Sequence, residues 1–246
     1  MSLFTLQKKK GEEQMNEIII IFVSIVFLII LKIVFKINIK NLLKFKNKQE
    51  KELDTITKKL PNNKEMCREI LKQLNNDSNV SIKEDNNSND CLYMIFNNSI
   101  LLGNFRADFI RVQTIAHECI HSVQNKRLLW FNYIFSNLYI LFFYVVCILA
   151  IFHKLSNSSL VTNILIILSF IQFSVRSYLE TQAMTKAREV AKEYLEENNV
   201  PNQEIKQLVA EYDKVNKIGI PFTNYQLLFK NVIRIIIFSG ILLIRY

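Results

Sequence analysis

The sequence predicts a mainly α-helical membrane protein, with about four transmembrane helices and a small α+β unit at the membrane face. Three observations carry this prediction. Half of the 246 residues are hydrophobic, and the apolar residues fall in blocks long enough to cross a bilayer. Between the blocks lie two polar regions with helical and strand periodicities. The expected order is a polar tail (1–16), a membrane anchor (17–37), a first polar part (38–127), a transmembrane hairpin (128–176), a second polar part (177–226), and a C-terminal transmembrane or interfacial helix (227–246).

The anchor, "EIIIIFVSIVFLIILKIVFKI", has 14 uncharged residues from Ile18 to Leu31 and continues past Lys32, whose long side chain can snorkel. No small-residue cleavage site follows it, so an uncleaved anchor is expected over a signal peptide. The basic residues Lys32, Lys36, Lys40, Lys44, Lys46, Lys48 and Lys51 crowd its C-terminal flank, which the positive-inside rule places in the cytoplasm. The net charge of +9 is therefore read as membrane-surface charge, and no nucleic-acid partner is expected.

In the first polar part, "NNKEMCREILKQLNN" is an amphipathic helix with Asn63 as N-cap and Met66, Ile70, Leu71 and Leu74 on one face. "NVSIKE" and "CLYMIFNNSILL" read as short strands with a turn at Asn97 and Asn98. No Gly or Pro interrupts Phe105 to Lys126, where Phe109, Val112, Ile115, Ala116, Ile120 and Val123 recur at helical spacing, so a long helix is expected.

The clearest span is Leu128 to Phe152, 25 residues without a charge. Leu160 to Val175 has 16 and pairs with it across the link His153 to Ser159. In the second polar part, one helix is expected from Tyr178 to Asn198. Another starts at Pro201, with Ile205, Leu208, Val209, Tyr212 and Val215 on one face. The last block, Leu227 to Ile244, carries Lys230 and Arg234, which a span accommodates by snorkelling.

Cys67, Cys91, Cys119 and Cys147 lack CxxC spacing and are expected as free, buried or partly buried thiols. The chemistry concentrates instead in "TIAHECIHSVQ", Thr114 to Gln124. His117 and His121 stand one helical turn apart on one face, so both imidazoles can reach one zinc ion, and Glu118 is placed to act on water there. The chance pattern of two polar residues sharing a face is the alternative. The charges Arg106, Asp108, Arg111, Lys126 and Arg127 around the motif place it outside hydrocarbon, against an intramembrane protease.

Zinc of this kind takes a third protein ligand. His153 falls in the hairpin link, on the opposite membrane face if both spans cross. The chain returns to the motif's side at Arg176, and "RSYLETQAMTKA" offers Glu180, with Ala183 and Ala187 forming a small-residue face. On these residues alone, Glu180 is either the third ligand or an ordinary solvated glutamate near a helix start.

"AHECIHSVQ" followed by "LETQAMTKA" resembles the YugP-like membrane zinc metallopeptidases, whose motif reads approximately AHEvGHaiQ with a later E-x-x-A glutamate. The likeness extends over Glu65 to Leu195. It implies a zincin-like unit with zinc on His117, His121 and Glu180, and Glu118 as catalytic base. Ile120 stands where that family usually has glycine, and its Asp-His-Tyr-Asp-Pro stretch has no counterpart around "NNSNDCLYMI". The HtpX-like proteases come second, since their E-x-x-A-D pattern would need Asp at Met184.

The sequence thus leads to the expectation of an integral membrane zinc endopeptidase acting on peptide or protein substrates at the cytoplasmic face of the cell membrane. The alternative is a catalytically degenerate scaffold or structural-metal protein. The run Leu92 to Phe96 is either plain core strand or an edge strand that pairs with an extended peptide, as zincins commonly have. Arg176 and Tyr178 are expected as membrane-interface anchors. Gln124 is expected to hydrogen-bond near the metal or on the helix surface.

Overall fold

A computed structural model describes residues 3–38, 51–76, 79–85, 87, 88, 90–105 and 108–245. The lysines at 40, 44, 46 and 48, and Arg106, lie outside them. Helix α1 (Leu3–Val34) covers the expected anchor (17–37) only to Val34 and starts well before its apolar run, so most of the expected polar tail is helical. Helices α2 (Lys51–Lys58) and α3 (Asn63–Gln73) follow, then strands β1 (Ser81–Glu84), β2 (Leu92–Met94) and β3 (Ser99–Leu102). Helix α4 (Arg111–Val123) holds the histidine motif, and α5 (Lys126–Ile151), α6 (Ser158–Glu197) and α7 (Asn202–Arg245) complete the chain.

Local chemistry explains where the elements differ from expectation. Asn62, one residue earlier than expected, caps α3 by accepting from the Glu65 amide at 2.9 Å. The long motif helix is shorter at both ends. A 3₁₀ turn (Asp108–Ile110) leads into α4, and Gln124 is extended, because Asn125 starts the next helix by accepting from the Leu128 amide. The helices expected at Leu160 to Val175 and Tyr178 to Asn198 are one, since no Gly or Pro separates them. α7 likewise runs through Pro221, joining the helix expected from Pro201 to the last apolar block.

The chain forms two compact units. One comprises 1–37, 131–177 and 221–246. Its core packs Tyr139, Phe143, Val146, Cys147 and Ala150 of α5 against Leu165 of α6 and Phe238 and Leu242 of α7. Among the described residues, four helices contain segments long and apolar enough to cross a membrane, and at most a third of each apolar stretch is buried within the protein. Large side chains such as Phe22, Ile33, Leu138, Ile148 and Phe170 face outward, as lipid-facing residues do.

The other unit comprises 38–130 and 178–220. Its three-stranded sheet has the order β1-β3-β2, with β3 parallel to β1 and antiparallel to β2. Met66, Ile70 and Leu71 of α3, Ile100 of β3, Ile115, Ala116 and Cys119 of α4, Ala183 and Ala187 of α6, and Tyr212 of α7 are fully buried together in its interior. The alanine face read from the sequence is therefore buried. All four cysteines are free thiols, Cys91 partly buried and the other three buried. Burial pushes the Cys91 thiol up to about 11.

Candidate metal centre

α4 carries His117 and His121 one turn apart, and α6 brings Glu180 to them within the second unit. The two Nε2 atoms lie 3.0 Å apart, with Glu180 Oε2 at 3.5 Å from His117 Nε2 and 3.8 Å from His121 Nε2. The rings meet edge to face. Among the described residues this is the one group of three or more metal-ligating side chains with mutually close ligand atoms. Side-chain exposures of 20%, 12% and 25% for His117, His121 and Glu180 leave the group reachable from solvent. His153 is not in it; this residue turns the chain after α5 in a left-handed conformation.

A buried amide fixes the geometry behind the histidines. Gln124 Nε2 donates to the Leu179 carbonyl at 2.8 Å and to Gln182 Oε1 at 2.9 Å, which turns its own Oε1 toward His121 Nδ1 at 2.7 Å. Both amide hydrogens being engaged, His121 Nδ1 must donate, and neutral His121 then presents the lone pair of Nε2 to the group. The extended backbone at Gln124, which ends α4, is what aims this side chain inward. One glutamine therefore ties the histidine helix to the residue preceding Glu180.

Glu118 is buried, and its Oε2 accepts the Tyr93 backbone amide at 2.7 Å. β2 is an edge strand, as one of the two sequence readings had it, but only Leu92–Met94 is extended and Ile95–Asn97 is 3₁₀. Its outward amide at Tyr93 is occupied by Glu118. The Tyr93 hydroxyl donates to Asn98 Oδ1 at 2.7 Å and accepts from Lys126 Nζ at 2.8 Å, while Lys126 also caps α4 through the Ser122 carbonyl.

Burial raises the pKa of Glu118, opposed by the nearby His117 and His121 charges and the Tyr93 amide. Burial works against a charged His121, yet the hydrogen bond and charge of Glu180 and the charge of Glu118 raise its pKa. Burial would also raise Glu180, but hydrogen bonds from His117 and His121 hold it well below the usual carboxylate range. The group is built to keep a carboxylate ionised beside two imidazoles.

The sequence did not reveal Gln182, Asn98 or the Leu179 carbonyl as supports. Each acts through tertiary contact, and no spacing rule links them to the histidines. Arg176 and Tyr178 are not in the ligand group. No family model, no curated protein and no solved structure matches this chain.

Proposed function

We propose that this chain is a membrane zinc metallopeptidase, with zinc on His117, His121 and Glu180 and with Glu118 as general base. The observation that carries the reading is the convergence of three ligand atoms from two helices. Tetrahedral zinc with ligand bonds of about 2.0–2.1 Å places its ligand atoms roughly 3.4 Å apart. The separations here, 3.0, 3.5 and 3.8 Å, bracket that value. Two neutral imidazoles and a carboxylate are a donor set that suits zinc. The resemblance of "AHECIHSVQ" and "LETQAMTKA" to the YugP-like metallopeptidases supports the same assignment.

Bound there, zinc supplies a Lewis acid for the scissile carbonyl and for the attacking water. The protein's own share follows from its contacts. Gln124 orients His121 with its Nε2 toward the group, and in the metal-free site the neighbouring imidazoles hold Glu180 ionised. The Tyr93 amide engages Oε2 of Glu118 and leaves Oε1 to take a proton from water and pass it to the departing amine. Burial raises the basicity of that carboxylate. The basic flank after the anchor, Lys32 and Lys36 among it, supports an active site on the cytoplasmic side of the cell membrane.

The second reading is a catalytically degenerate scaffold with a structural metal, which the buried, amide-tethered Glu118 favours. The test is zinc per polypeptide in detergent-purified protein, for wild type, Glu180→Ala and Glu118→Gln, together with cleavage of a peptide library. The peptidase reading expects one zinc in wild type, its loss in Glu180→Ala, and retained zinc without cleavage in Glu118→Gln. Zinc in wild type without cleavage of any peptide would give first place to the scaffold. A zinc-free wild type, even after zinc is supplied, would remove the metal reading altogether.

A further inference from the structure

We propose that Arg234 and Lys230 bind the phosphodiester head of an anionic phospholipid on the outer face of α7. The inference rests on α7 crossing the membrane and is independent of the peptidase reading.

Arg234 lies seven residues into the apolar stretch that opens at Leu227, about 10 Å along the helix axis. Its guanidinium is fixed from inside the unit by a chain of contacts. Tyr139, 2% exposed, shares a 2.6 Å hydrogen bond with Ser169 Oγ, and Asn231 Nδ2 donates to the Ser169 carbonyl at 3.0 Å. Asn231 Oδ1 is thereby turned to accept from Arg234 Nη1 at 2.8 Å, and the guanidinium carbon stands 5.3 Å from the centre of the Tyr139 ring. A cation at this depth is therefore held in place by groups that carry no negative charge.

Among the described residues, these are the only hydrogen-bond and ring contacts that Arg234 makes. A guanidinium offers five N–H donors in a planar fork, and an unsatisfied donor in hydrocarbon costs several kcal/mol. An anionic partner from outside the protein fits that deficit, and the fork matches two phosphate oxygens. The contact with Asn231, one turn earlier, shows the side chain reaching back toward the N-terminal end of the stretch, where Lys230 is exposed. Lys230, Arg234, Ile237, Ile241 and Ile244 recur at helical spacing, so two cations lead into an apolar stripe on one face. Ile237 and Ile244 are exposed, which matches acyl chains running below a phosphate head. Two positive charges select a lipid of net negative charge over a zwitterionic one.

The test is the thermal unfolding midpoint of the delipidated full chain in neutral detergent, titrated separately with phosphatidylglycerol, phosphatidylcholine and inorganic phosphate. Phosphatidylglycerol should raise the wild-type midpoint by about 3 °C. Phosphatidylcholine and phosphate should leave it in place. Arg234→Gln should lose the rise, and Lys230→Gln, at an exposed position that tolerates change, should lose part of it. If Arg234→Gln does not fold, Lys230→Gln decides alone. An undiminished rise in Lys230→Gln, or in a folded Arg234→Gln, would overturn the site. An equal rise with phosphatidylcholine or with free phosphate would overturn the anionic-lipid assignment.

Discussion

Removing Gln124 separates the two things this side chain does. Gln124→Ala deletes three hydrogen bonds, to His121 Nδ1, the Leu179 carbonyl and Gln182 Oε1, from a position 7% exposed. At about 1 kcal/mol each, the loss to the stability of the unit is on the order of 3 kcal/mol. Freed of its partner, His121 can rotate or hold its proton on Nε2, so zinc affinity should fall by about 10- to 100-fold. Gln124→Glu keeps an acceptor for His121 but loses both donors and sets a carboxylate against the Leu179 carbonyl. It should unfold more easily yet keep most of its affinity for zinc. Competition with a chromophoric chelator gives the zinc Kd, and the visible spectrum of the cobalt-loaded protein reports ligand geometry. Zinc binding by Gln124→Ala within about twofold of wild type would refute the relay. Equal zinc losses in the two variants would refute the claim that it works by orienting the imidazole.

Three further outcomes follow from groups in the same unit. In metal-free protein, the stability carried by the depressed Glu180 is present above about pH 4.3 and lost as pH falls through its folded value. The stability carried by the raised His121 is present below about pH 6.5 and lost as pH climbs through its folded value. The metal-free midpoint should therefore fall from about pH 6.5 upward, and zinc, which binds deprotonated ligands, should cancel that fall; an alkaline plateau without metal would sink the assignment. Arg111→Met removes donors to the Thr57 and Leu60 carbonyls and to Asn63 Oδ1 from a buried position, and should cost about 3 kcal/mol in thermal unfolding; an unchanged midpoint would refute the weight given to these three bonds. Gly103→Ala places a Cβ 2.6 Å from the Asp90 carbonyl oxygen and 2.7 Å from that of Ser88, so the chain leaving β3 must shift, at about 1–3 kcal/mol by the same assay.

The helices and the closeness of His117 to His121 were legible because they follow local periodicity. His117 and His121 are neighbours through the helical repeat alone, and the apolar blocks follow from length and charge. Glu180 was left open by its residues and by the expected topology, as third ligand or solvated glutamate, and only the resemblance to the YugP-like metallopeptidases favoured its place beside the histidines. What was not legible depends on partners distant in sequence. The end of α4 is set by Gln124 turning toward α6 and by Asn125 starting α5, and neither residue breaks a helix by propensity alone. The snorkelling expected of Arg234 is directed by a specific clamp, because Tyr139 and Ser169 come from other helices. The run Leu92 to Phe96 was left as core strand or peptide-pairing edge strand; β2 lies at the sheet edge, and its Tyr93 amide is taken by Glu118.

On the zinc reading proposed above, the order of His117, His121 and Glu180 along the chain sets the timing of metal capture. His117 and His121 emerge from the ribosome together, but Glu180 follows only after the whole apolar stretch from Leu128 to Val175 has been made. Until then a nascent chain offers two imidazoles alone, a weaker chelate than the three-donor set. Glu180 arrives on the same continuous helix as the second half of the expected hairpin, so on that reading tight binding would wait on the hairpin's insertion. A chain whose hairpin fails to insert would strand its carboxylate away from its histidines.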